Sequence, residues 1–229
     1  MTVDTVSIVI PMYNNWHLTH AILFDILQYN SSVDEIILIN NGCTEQAVFD
    51  GIRWWRETSK QLPQIRIYNI KENVGFLKAC NKGVPSATGD VVILVSNDVR
   101  MQYDVASLAR NVFKKDSKLI MGGILYENST GWNEFTYKGK SRIFKYLEGW
   151  LLIFTKSAWE DVGGFDERYV PNDYEDVDIS TSWLAKGYTL ASLSSDKVRH
   201  LGAQTIGFSN ERQALTERNR EKFRKKWLK

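Results

Sequence analysis

The sequence is poor in several features, and each shortage excludes a class. Among 229 residues there are two cysteines, Cys43 and Cys80. They carry no metal-ligand spacing and are too few for a disulfide scaffold, which points to a reducing compartment, where the sequons at Asn30 and Asn128 have no meaning. The longest apolar runs, at 36–39, 91–95 and 150–154, hold four or five residues, far short of the ~20 that span a bilayer. The opening stretch carries an acid, Asp4, and no basic segment, so no signal peptide is expected. Prolines number only four, and with 43% hydrophobic and 24% charged residues the chain is globular, not disordered. The net charge is +2, from 29 Lys/Arg against 27 Asp/Glu, which excludes a wholly basic protein but not a local basic patch. A cytoplasmic protein of one large or two small domains is expected.

Chemical signatures are also missing. There is no G-x-G-x-x-G fingerprint of a nicotinamide or flavin enzyme, no zinc signature, no H-E-x-x-H pair and no G-x-S-x-G elbow. Gly139-Lys140-Ser141 ends like a phosphate-binding P-loop, but Glu134 stands where its first glycine belongs. The chain does have eight tryptophans, residues that fill cores and also stack on sugars, bases and cations.

Periodicity predicts an alternating first half. Short β-branched apolar runs at 6–10, 35–39, 65–70 and 91–95 are separated by helical stretches around 18–27, 46–59 and 77–87. Runs apolar on both faces, spaced by helices of 10–15 residues, predict a mostly parallel central sheet with helices on both faces, an α/β fold. The second half is less regular, and a mixed sheet is expected there. Strands are expected at 119–126 and 151–154, with a loop or hairpin over 127–141 and a C-terminal helix. Each of the first four runs ends in a small polar cluster: 11–15, 40–43, 71–75 and 96–98. In an open parallel sheet the carboxyl ends of the strands share one edge, where ligands bind. One such cluster is explained by a turn; four in register describe a site for something polar, such as a nucleotide.

Four segments stand in order: VSIVIPMYNN at 6–15, NVGFLKACNKGVPSATGDVVILVSNDV at 73–99, a GGFDE and E-D-V-D block within 149–188, and VRHLGAQT at 198–205. With them the chain, from residue 6 to about 205, resembles the inverting, GT-A type glycosyltransferases of family 2. The first segment resembles that family's first strand and donor-binding turn, and the second its N-x-G…N-x-G…G-D…L-N-P-D segment. GWLLIFTKSAWEDVGGFDERYVPNDYEDVDISTSWLAKGY (149–188) is the most specific match, through GGFDE, E-D-V-D and K-G-Y. VRHLGAQT (198–205) resembles the late metal-ligand histidine segment. Two departures stand out. Asn40-Asn41-Gly42-Cys43 replaces the usual Asp-Asn-Gly-Ser, which leaves base preference open, since an amide both accepts and donates. Ser96-Asn97-Asp98 keeps only the last acid of the Asp-x-Asp metal signature.

The resemblance implies a Rossmann-like GT-A domain over 1–210, with a nucleotide-sugar-binding half (1–100) and an acceptor and catalytic half (101–210). It implies a metal-dependent transferase of the hexosyltransferase class, acting in polysaccharide synthesis. Such an enzyme moves a sugar from a UDP-, dTDP- or GDP-linked donor to a glycan or lipid-linked hydroxyl; the alternative is a non-catalytic sugar-nucleotide-binding module. Nucleic acid is not an expected partner. Donor contacts fall to Pro11, Tyr13, Asn15, Asn40, Asn73, Gly75, Lys78 and Asn97. The metal, Mn²⁺ or Mg²⁺, falls to Asp98 and His200, whose oxygen and imidazole donors suit such a cation.

By its place in the E-D-V-D motif, the resemblance implies Asp176 as general base, with Glu175 and Asp178 orienting the acceptor or the helix, and Trp150 is expected to stack on a sugar face. Asp173 is expected to cap the acidic helix. Asp166, Glu167, Asp173, Glu175, Asp176 and Asp178 lie together with only Arg168 near in sequence, and such crowding favours a functional pocket. Trp159 and Trp183 are expected in the core, and one of Trp54 and Trp55 outside it. Residues 211–229 form a separate basic helix, with eight Lys/Arg against three Glu, while the remainder holds 21 against 24. That helix either packs through Leu215, Phe223 and Trp227 as a solvated flank or touches anionic lipid peripherally.

Overall fold

A computed structural model describes residues 3–30, 32–58, 64–128, 133–193, 195–202 and 209–229. The expected ends of the second helical stretch (Ser59) and of the histidine segment (Thr205) lie outside the described residues, as do residues 129–132.

The β-branched runs form a seven-stranded sheet of order β12-β6-β11-β4-β1-β2-β3. Its first half is β1 (Val6–Met12), β2 (Glu35–Asn41), β3 (Gln64–Ile70) and β4 (Val91–Val95), all parallel. In the second half β11 (Leu151–Thr155) lies antiparallel to β4 and to β6 (Leu119–Gly122), while β12 (Thr189–Ser192) is parallel to β6. Every residue of β1, β2, β4 and β11 is buried, because helices cover both faces. Alternate side chains divide between two cores. Ile8, Ile10, Leu38 and Ile93 pack under α1 (Trp16–Tyr29), α2 (Gln46–Thr58) and α4 (Val105–Phe113). Val9, Ile37, Leu94 and Phe154 pack under α3 (Phe76–Gly83), α5 (Lys156–Val162) and α6 (Glu175–Ala185). Trp183 and Trp159 are buried there, and of the Trp54–Trp55 pair only Trp55 is buried, Trp54 being 52% exposed.

The run expected over 119–126 breaks into β6 and β7 (Leu125–Tyr126) at Gly122-Gly123. A Cβ on Gly123 would stand 2.1 Å from the Trp150 ring, so only glycine lets the indole lie there. β7 pairs instead with β10 (Tyr146–Leu147). Within 127–141 a hairpin forms from β8 (Glu134–Tyr137) and β9 (Lys140–Ile143). Its two-residue turn, Lys138-Gly139, has φ of 50° and 76°, the geometry that matches strand twist in tight hairpins. β5 (Val99–Met101) and β13 (Val198–His200) make a further antiparallel pair, with Val99 opposite His200.

The C-terminal helix α7 (Asn210–Trp227) is sewn into the body. Phe223 is fully buried against Phe135, Phe144 and Tyr174. The Asn219 amide, also fully buried, donates to the carbonyls of Tyr169, Asn172 and Asp173 at 2.8, 2.9 and 3.1 Å. These contacts pack the basic segment as a flank against the body.

Candidate active site

Register aligns the polar clusters. Met12 stands beside Asn40 and Asn40 beside Asn69, so the ends of β1, β2 and β3 reach one edge together. Asn14 and Asn15 follow β1 with φ of 52° and 49°, a left-handed bend that asparagine tolerates. The Asn14 carbonyl oxygen of the side chain accepts the N–H groups of Thr44 and Glu45 (2.8 and 3.2 Å), tying the β1 turn to the β2 turn. Asn15 donates its backbone N–H to Glu45. Pro11 is buried in β1, and Tyr13 is half-buried above it.

Several expected donor-binding side chains are occupied within the protein. Asn40 accepts the Cys43 N–H through Oδ1 (2.9 Å) and donates to Asn69 (3.1 Å). Asn41, which the sequence does not mark as a donor contact, donates to Asn73 (2.9 Å) and accepts the Val74 N–H, fixing the loop that carries Asn73 and Gly75. Gly75 has φ 84°, and an added Cβ would meet the Pro171 carbonyl at 3.3 Å, so the donor-side loop touches the acidic segment. Asn97 is buried and donates to Thr19 on α1, so its amide holds a helix and does not face an open cleft. Lys78, half-buried on α3, makes no hydrogen bond or ion pair among the described residues.

Asp98 and His200 meet. The β5–β13 pairing brings His200 Nε2 to 3.3 Å from Asp98 Oδ1, and the Leu201 N–H donates to the Asp98 carbonyl. Among the described residues no third His, Cys, Asp or Glu joins them. Trp150 lies parallel to His200, with ring centroids 5.4 Å apart and 14° between planes. The imidazole thus takes one face of the indole and Gly123 lies against its ring, so Trp150 supports His200 and is not an open platform for a sugar. Its indole N–H donates to Glu148.

The six acids separate into two groups. Asp166 pairs with Arg168 and with Lys226 (3.0 Å). Glu167 accepts from Asn81. Asp173 accepts from Arg212 (3.1 Å) and Thr216 (2.6 Å), and Asp178 from Lys226 (2.8 Å), Trp227 (2.7 Å) and Tyr169 (3.1 Å). α7 therefore supplies the counter-charges that local sequence lacks, and crowding is relieved by pairing across the fold. Asp178 orients the helix pair, not an acceptor, because its oxygens are spent on α7 and Tyr169 at 2% exposure. Nor does Asp173 cap α6: Tyr174 occupies that position, with φ 77° and no side-chain cap, after Asp173 at φ 71°.

Among the described residues no cation pairs with Glu175 or Asp176. Glu175 is buried, its Oε2 without a hydrogen-bond partner among those residues, and burial, then the charge of Asp176, raises its pKa well above the usual carboxylate range. Asp176 is half-buried. Desolvation pushes its pKa up to about 6, against the N–H groups of Val177 and Gly149 and with the charges of Glu148 and Asp173. Its Oδ2 accepts the Gly149 N–H at 3.2 Å, one residue from Trp150. Glu148, Tyr126 and Tyr146 lie around it and belong to no motif in the sequence; the signal for Glu148 is its place directly before the block that opens at Gly149.

The family profile described as glycosyl transferase family 2 matches residues 7–163. The chain belongs to glycosyl transferase family 2. This family 2 domain is 24% identical over 203 residues to a poly-beta-1,6-N-acetyl-D-glucosamine synthase of Staphylococcus epidermidis, covering 79% of the chain and 45% of that protein. With the synthase of the same name from Staphylococcus aureus it shares 23% over 212 residues, 82% of the chain and 47% of that protein. The chain thus spans about half the length of these curated relatives. Its GT-A fold is that of the crystal structure of GalNAc-T7 with UDP, GalNAc and Mn²⁺ (TM-score 0.75, 14% identity, 98% of this chain and 49% of that one). It is also that of the mannosyltransferase PcManGT from Pyrobaculum calidifontis with GDP-Man and Mn²⁺ (TM-score 0.68, 17% identity, 88% and 58%). No described helix is long and apolar enough to cross a membrane.

Proposed function

We propose that this family 2 domain transfers a glycosyl group, with inversion, from a nucleoside-diphosphate sugar to a hydroxyl of a glycan or lipid-linked acceptor, with Asp176 as general base. The observation that carries the proposal is the contrast within the acidic segment. Asp166, Asp173 and Asp178 are neutralised by α7, while among the described residues no cation pairs with Asp176, whose pKa is pushed up to about 6, suited to taking a proton near neutrality.

In the step, the acceptor oxygen attacks the anomeric carbon as its proton passes to the Asp176 carboxylate. The bond from that carbon to the diphosphate oxygen breaks on the opposite side, and its electron pair leaves with the nucleoside diphosphate. One in-line displacement inverts the centre. Pro11, Tyr13, Asn15 and the Asn40–Asn73–Gly75 edge would line the base and ribose, and Lys78 would meet a phosphate. The donor set at Asp98 and His200, one carboxylate and one imidazole, fits Mn²⁺ better than Mg²⁺, which favours oxygen alone. These two residues would hold the cation, which when bound supplies charge neutralisation at the leaving diphosphate, the remaining ligands being substrate and water oxygens.

The names of the curated relatives make N-acetylglucosamine the first sugar to try. Incubation with UDP-, dTDP- and GDP-sugars, Mn²⁺ and oligosaccharide acceptors should release nucleoside diphosphate only when donor and acceptor both fit. Binding of a donor without turnover under every acceptor would instead identify a sugar-nucleotide-binding module.

A further inference from the structure

Three consecutive residues, Glu148, Gly149 and Trp150, touch every part of the acceptor-side site. Glu148 uses both carboxylate oxygens: Oε1 accepts the Tyr126 hydroxyl at 3.0 Å and Oε2 the Trp150 indole N–H at 2.7 Å. Tyr126 in turn stacks on Tyr146, its cross-strand partner, at 4.9 Å and 15°. Gly149 donates its N–H to Asp176, and an added Cβ there would stand 3.2 Å from the Asp176 Cβ, so glycine sets how closely the strut and the acid approach. Trp150 lies against the His200 imidazole, while its carbonyl accepts the Ser96 N–H at 2.9 Å, two residues before Asp98. The Glu148 backbone N–H is itself anchored to the Ile124 carbonyl.

We propose that Glu148 is a positioning residue of this site, holding the Trp150 indole against His200 and setting the charge around Asp176. The inference rests on the reading of Asp176 and His200 given above, and it assigns Glu148 no contact with substrate. Two donors, the Trp150 indole N–H and the Tyr126 hydroxyl, point at its two oxygens. A glutamine can keep both contacts, its carbonyl oxygen taking the indole N–H and its NH₂ donating to the Tyr126 hydroxyl oxygen, which accepts as well as donates. Charge and contact therefore separate: glutamine removes the charge, and alanine removes both. The groups facing Asp176 are Glu148 from the strut, Asp173, Tyr174 and Glu175 from the start of α6, Tyr126 from β7 and Tyr146 from β10. Glu148 and Asp173 are the acids that raise Asp176 by their charge, and Asp173 is already paired with Arg212.

NMR of the resting protein tests this without any substrate. The chain has three histidines, so the His200 ring signal, assigned with His200→Ala, reports the stacking through its ring-current shift. The signals of His17 and His20 serve as internal controls. In Glu148→Gln the Asp176 carboxyl titration should fall by about half a pH unit or more, with the His200 signal near its wild-type position. In Glu148→Ala, which leaves the indole N–H without its acceptor, the Asp176 midpoint should fall likewise and the His200 signal should move toward its unstacked position. Glu148→Asp keeps the charge but not the reach; it should restore the Asp176 midpoint and leave His200 displaced. If the Asp176 midpoint in Glu148→Gln or the His200 signal in Glu148→Ala stays at its wild-type value, the proposal is overturned. Should Glu148→Ala not fold, by far-UV circular dichroism, an unmoved His200 signal in Glu148→Asp overturns it equally. A wild-type protein that transfers no sugar would overturn the catalytic reading and leave this test standing.

Discussion

At the residue scale, Asp176 carries opposite demands of function and stability. An acid whose pKa is raised in the folded state favours its neutral form there. Its contribution to stability is complete below the ordinary aspartate value near 4, and is lost as pH rises through about 6. Asp176→Asn should therefore abolish transfer, by on the order of 10²–10⁴-fold, with donor affinity nearly unchanged by calorimetry. The same variant should be more stable than wild type at pH 7–8, on the order of 1–3 kcal/mol from the size of the shift. That advantage should vanish by pH 4, as chemical denaturation at the two pH values will show. In the wild type, the transfer rate should fall on the acid side with a midpoint near 6.

Among the elements, α7 and the acidic segment act as one unit. Asp173 and Tyr174 hold consecutive left-handed φ angles, a conformation costly for residues with side chains. They are kept there by Asn219 from below and by Arg212 and Thr216 at the Asp173 carboxylate. Asn219→Ala would strip three buried carbonyls of their donor, and should cost on the order of 2–3 kcal/mol in urea unfolding. Asp173 is partly desolvated, yet Arg212, Thr216 and Asn172 bring its pKa below the ordinary value. Its contribution is then present above about pH 4 and lost as pH falls through the lowered pKa. Arg212→Gln should accordingly reduce stability at pH 7 and flatten its decline between about pH 4 and pH 2.

For the whole molecule, the two charge populations evident in the composition are in contact. Arg212 and Lys226 are paired with acids of the body, and Lys222 donates to the Arg168 carbonyl, which leaves Arg218, Lys225 and Lys229 as the exposed basic residues of the segment, Lys225 lying 3.7 Å from Glu221. Three exposed charges, one of them beside an acid, give little attraction to a lipid surface, at ~1 kcal/mol each. Flotation with anionic liposomes should be close to that with zwitterionic ones, and strong anionic selectivity would reinstate a lipid-facing role for α7. Removing residues 209–229 would uncover Phe135, Phe144 and Asp178 together. The truncated chain should lose its cooperative thermal transition in calorimetry, since apolar surface and an unpaired buried acid are exposed at once.

The sequence by itself determined the parallel half of the sheet and the family. Val91–Val95 and its sister runs are apolar on both faces, a pattern that only burial between helices satisfies. The polar clusters after them are local as well, because each belongs to a single strand-to-helix turn. Short second-half elements such as β10 and β13 carry too few residues to show a period, and although a mixed sheet is expected there, which strand turns antiparallel is not written in composition. The fates of the acids were likewise illegible. Asp173, Asp176 and Asp178 look alike along the chain, and only the docking of α7 divides the neutralised ones from Asp176. Asn97 and Asn40 have the right chemistry for a ligand, but tertiary neighbours claim their amides. His200 approaches Asp98 only because β13 pairs with β5. Local periodicity and turn chemistry are properties of a few adjacent residues and can be read from them. Which charges meet, and which are left free to react, depends on contacts between distant segments that exist only once the chain has packed.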